Sequence, residues 1–140
     1  MPQNDVKMCG IKHIVIPASD PQNQVKPQQI QNFVGQIVTH LQKNPNDFGA
    51  IAYNYSLDPK KVTNQPLQNC LNGVPKTDAK AYQDQATQCL TKHVGELDCF
   101  KTTEQNPAWV SKVNSMKPGT VDSIFLKDQN VFSIIQKPLK

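Results

Sequence analysis

The chain has 140 residues, 37% of them hydrophobic, and a formal net charge of +4, with a mean hydropathy of -0.54. That length suffices for a single domain, residues 1–140, with a core of its own, and no apolar run approaches the roughly 20 residues a membrane-spanning helix needs. All 15 basic residues are lysines scattered along the sequence, so the arginine forks and basic stripes of specific nucleic-acid recognition are missing and no nucleic-acid partner is expected.

The opening residues, MPQNDVKM, lack a basic region followed by an apolar run, so no signal peptide is read there. Residues 11–17, IKHIVIP, are rich in β-branched residues and predict a strand closed by Pro17. His13 stands in that strand where a valine would fold better. It is either a core histidine satisfied by local partners or part of a site, and the strand alone leaves both open.

Ile30, Phe33, Val34, Ile37, Val38 and Leu41 recur at helical spacing and predict an amphipathic helix over about 27–43. NPND breaks it, and Phe48, Ile51, Ala52 and Tyr55 mark a short second helix. SLDPKKVTNQP reads as a turn-rich segment. A further helix is predicted over 77–94, with Tyr82, Ala86, Cys89 and Leu90 on one face and Gly95 as its stop. Asn106 caps a last helix with Pro107 at its first position and Trp109, Val113 and Met116 along one side. VDSIFL and VFSIIQK, joined by KDQN, predict a hairpin. A lone strand cannot satisfy its backbone, so the first strand is expected to join that hairpin in one α+β sheet.

Cys9, Cys70, Cys89 and Cys99 are an even, widely spaced set with no C-x-x-C pair, which argues against a zinc ribbon or a thioredoxin-type redox site. They fit two structural disulfides and an oxidising compartment, so an extracytoplasmic chain whose targeting segment is absent here is expected. Four cysteines allow three pairings, and the sequence leaves these open. A Cys70–Cys89 bridge would enclose the start of the third predicted helix and leave Cys9 for Cys99. No metal site and no cofactor motif are read.

Three stretches in order, KHIVIP, NDFGAIAYNYSLDP and MKPGTVDSIFLKDQNVFSIIQK, resemble the parvulin (PpiC-like) family of peptidyl-prolyl isomerases. The resemblance covers about residues 11–72 and 105–137. It implies a four-stranded antiparallel sheet surrounded by helices, here with an extra helical insertion at about 72–104. It also implies rotation of the peptide bond before proline, which needs neither nucleophile nor metal. By position it places His13, Asp58 and Ser133 in the polar catalytic set, Ser133 standing where the family has a second histidine. Leu71, Gln105, Trp109 and Met116 make up the substrate-binding set. QNCLNG replaces the family's glycine-rich segment. The expected partners are proline-containing unfolded or extended polypeptides, with folding of exported proteins in the periplasm as the implied role. A non-catalytic parvulin-like chaperone or secretion-accessory module is the alternative.

Overall fold

The computed structural model describes residues 6–20 and 22–139. Most of the stretch read for a targeting segment, residues 1–5, lies outside the described residues. The architecture is α+β, with five helices and two small antiparallel sheets. In chain order the elements are β1 (Lys7–Met8), β2 (Lys12–Pro17), α1 (Pro27–Lys43), α2 (Phe48–Tyr55), α3 (Gln65–Asn72), α4 (Ala79–His93), β3 (Phe100–Lys101), α5 (Pro107–Ser115), β4 (Val121–Leu126) and β5 (Val131–Gln136). Single 3-10 turns lie at Pro45–Asp47, Pro59–Lys61 and Thr102–Glu104.

The first predicted strand does join the C-terminal hairpin. β5 lies in the middle of the larger sheet, antiparallel to β2 on one side and β4 on the other. The register sets His13 opposite Ile135 and Val15 opposite Ser133. Ile134 and Ile135 are both fully buried, because successive strand residues face opposite sides and each side of β5 is covered. Burial of each is worth about 2 kcal/mol. On one side α1 lays Ile30, Val34, Ile37 and Leu41 over Ile14 and Ile134. On the other, Ile11, Phe100, Trp109, Val113, Met116, Leu126 and Ile135 form a second core.

The expected four-stranded sheet is corrected to three strands plus a separate β1–β3 ribbon. The outer edge of β2 is nonetheless covered. The His13 amide donates to the Gly95 carbonyl at 2.9 Å and the Leu97 amide to the Ile11 carbonyl at 2.8 Å, around one bridge from Lys12 to Glu96. Gly95 sits at φ +86°, left-handed backbone that cannot continue an extended strand, so this segment supplies a bridge and not a fourth strand.

Residues 65–72, partly read as turn, form helix α3. Asn64 caps it by accepting the Leu67 amide at 2.7 Å, with Pro66 in the first turn. Leu67 is buried, and Cys70 and Leu71, three and four residues on, pack against the first core from the same face. The insertion holds α4 and β3, and it sends Val74, Cys89 and Val94 into the first core and Phe100 into the second. The cysteines pair as Cys70–Cys89 and Cys9–Cys99. The first ties α3 to α4, and the second fastens the end of the insertion beside β1. Two disulfides are compatible with an extracytoplasmic location. No helix among the described residues is long and apolar enough to cross a membrane.

Candidate functional site

The turn after α2 is held against β2 by its own polar groups. The buried Ser56 hydroxyl accepts the Val15 amide at 3.0 Å and the Asp58 amide at 3.3 Å. The Leu57 amide donates to the Val15 carbonyl at 2.8 Å. Lys61 reaches back to donate to the carbonyls of Tyr53 and Ser56, both at 2.8 Å, closing the end of α2. These bonds deliver Asp58 to His13, whose Nε2 lies 2.6 Å from Asp58 Oδ2. The two side chains are 16% and 18% exposed, so the pair is reachable but largely shielded.

The hydrogen bond with His13 holds the Asp58 carboxyl below the usual carboxylate range. Burial opposes this, while the Lys60 amide, donating to Oδ1 at 2.9 Å, adds to it. The ionised carboxylate is thus preorganised beside the ring.

His13 and Val15 project from the same face of β2, and the register adds Ser133 to that face. Asn106 accepts the Ala108 amide at 2.8 Å and the Trp109 amide at 3.4 Å, which starts α5 and aims Trp109 at the sheet. The indole is 4% exposed and donates its Nε1 hydrogen to the buried Ser133 hydroxyl at 3.0 Å. It stands edge-on to the His13 ring, centroids 6.3 Å apart, with Phe100 5.5 Å behind it. Together His13, Val15, Gln105, Trp109, Leu126 and Ser133 line a notch of about 90 Å³.

Of the expected residues, the structure therefore brings His13, Asp58, Ser133, Gln105 and Trp109 to one place. The polar set is two hydrogen-bonded pairs, His13 with Asp58 and Ser133 with Trp109, that meet through the ring contact. Leu71 does not reach the notch: it packs against the first core from α3. Met116 lies buried in the second core. Val15, Asn106, Leu126, Gln129 and Val131 also line the notch; none of them is among the site residues expected from sequence. Val15 was legible, lying two residues from His13 on the same strand face; Leu126 and Val131 become neighbours only through the hairpin register.

Among the described residues no group of three or more His, Cys, Asp or Glu side chains is placed to hold a metal ion. Chemically the site offers a shielded ring–carboxylate pair beside a small recess of mixed apolar and polar lining. No protein-family model, no curated protein and no solved structure matches this chain.

Proposed function

We propose that this is a parvulin-like peptidyl-prolyl isomerase domain acting on extended, proline-containing segments of exported proteins, in an oxidising compartment such as a periplasm. The observation that carries the reading is the His13–Asp58 pair at 2.6 Å on the rim of a notch walled by Trp109 and Leu126. A recess of about 90 Å³ suits one small ring and little more. Rotation about the prolyl bond meets a barrier of about 18–20 kcal/mol, set by lost amide resonance. A site lowers it by binding the twisted amide better than either planar form. With the proline ring in the notch, the polar edge of His13 lies beside the rotating amide, and ionised Asp58 fixes the imidazole tautomer and orientation.

A second reading, binding without catalysis, is favoured by one observation. The Ser133 hydroxyl accepts the Trp109 indole hydrogen, so the second polar group of the set is engaged by the pocket wall and not by His13.

A protease-coupled isomerisation assay on a prolyl tetrapeptide separates the two. Wild type is expected to exceed the uncatalysed rate, and His13→Ala to lose at least about tenfold in kcat/KM. Background rates for both proteins, with peptide binding retained, would establish the binding-only reading. Background rates without binding would remove both.

A further inference from the structure

We infer that the notch is one end of a longer polypeptide track, continued by the groove between α5 and the β1–β3 ribbon, and that this groove takes uncharged residues flanking the proline. The inference rests on the prolyl reading for what fills the notch. Gln105 lies at the junction, lining both the notch and the groove. The groove encloses about 560 Å³, within the range of about 300–1,000 Å³ usual for ligand sites; the notch is far smaller.

Its walls have a definite chemistry. Val6 and Met8, two residues apart, share one side of the ribbon. Val110 and Ser111 lie one turn before Asn114 on α5, and all three line the groove. The lining thus combines apolar side chains with uncharged hydrogen-bonding ones. A chain with 15 lysines and 11 acidic residues places no charged side chain among the described residues lining this groove. An occupant with fixed charges would lose hydration there and find no opposite charge among the described lining residues. An extended segment of small neutral residues loses little, and its main chain finds the amide and hydroxyl groups of Gln105, Asn114 and Ser111.

The groove is also a built feature. β1 pairs with β3, the Thr102 amide donates to the Val6 carbonyl at 3.0 Å, and the Cys9–Cys99 bridge locks the ribbon. Met8 and Val110 pack on the same apolar cluster that contains Trp109, so notch and groove share one core.

The test compares fluorescently labelled peptides by anisotropy: Ala-Ala-Pro-Phe, and uncharged decapeptides carrying the same core extended by Ala, Ser and Gln on the amino or the carboxyl side. In wild type one decapeptide is expected to bind about tenfold tighter than the tetrapeptide. The Ser111→Arg/Asn114→Arg double variant should cut that gain to about twofold or less, and Gln83→Arg on α4, the same change outside the groove, should keep it. Thermal melts check that the variants are folded; Asn114→Arg alone serves if the double variant is not.

No gain for either decapeptide, or an equal gain in the groove variant, overturns the inference while tetrapeptide binding leaves the prolyl reading standing. The opposite failure is also visible. If the tetrapeptide does not bind, and replacing proline by alanine in the decapeptide changes nothing, the prolyl reading falls. Loss of decapeptide binding in the groove variant then upholds the groove by itself.

Discussion

Asp58 takes its importance from its neighbours. Its carboxylate accepts from the Lys60 amide and faces His13 Nε2, and its pKa is depressed on folding. A group with a depressed folded pKa stabilises the native state above its unfolded pKa, and that contribution disappears as pH falls through the folded value. Wild type should therefore lose stability as pH drops through and below about 3.9, the ordinary aspartate value. Asp58→Asn, which cannot ionise, should show a shallower loss over the same window and a deficit of about 2 kcal/mol at neutral pH. Urea titrations at neutral and acid pH measure both, and identical pH slopes would refute the assignment. Trp109 illustrates a different point. Its side chain wall, its hydrogen bond to Ser133 and its edge on His13 are three separate constraints, so its orientation is overdetermined, whereas the sequence offered a helix face and a pocket wall but neither of these two partners.

β2 carries the site because both of its edges are occupied. β5 takes one edge, and the other is shared between Ser56–Leu57 and residues 95–97. Gly95 makes the second of these contacts possible. Its left-handed backbone turns the chain after α4, and a Cβ there would lie 2.9 Å from the Ala52 Cβ and 3.2 Å from the His13 carbonyl oxygen. Gly95→Ala should cost at least about 2 kcal/mol, from backbone strain and the close contacts together. It should also raise amide exchange at His13, whose hydrogen bond runs to Gly95. Unchanged stability and exchange would contradict this account. Gly49 plays the matching part between helices, since a Cβ there would come within 2.8 Å of the Leu90 and Thr91 carbonyl oxygens; α2 and α4 meet at backbone distance.

The two disulfides act on different lengths of chain. Cys70–Cys89 joins residues 19 apart and Cys9–Cys99 joins residues 90 apart. By loop-closure entropy these are worth about 3 and about 4.5 kcal/mol respectively. Cys9→Ala/Cys99→Ala should accordingly destabilise more than Cys70→Ala/Cys89→Ala in urea, and the reverse order would show that local packing outweighs chain entropy. The longer bridge has a second consequence. It secures Phe100 and the ribbon behind Trp109, so its removal should also weaken binding of long peptides.

Much of this molecule was legible in local pattern. The spacing of Ile30, Val34, Ile37 and Leu41 predicts α1, IKHIVIP predicts β2, and Asn106-Pro107 marks the start of α5, because helix and strand periods are written over a few neighbouring residues. The pairing of β2 with the hairpin followed from the need to satisfy a strand's backbone. α3 was written in the i, i+3, i+4 spacing of Leu67, Cys70 and Leu71, but its first turn, Gln65-Pro66, is shared with the turn-rich segment before it. That the larger sheet stops at three strands was not legible, because a single glycine conformation decided whether residues 95–97 extend or only bridge. Which cysteines join, where Leu71 and Met116 point, and whether the Ser133 hydroxyl meets His13 or Trp109 depend on groups tens of residues apart. Such contacts are settled when the two cores close on the sheet, and no property of a short stretch encodes their geometry.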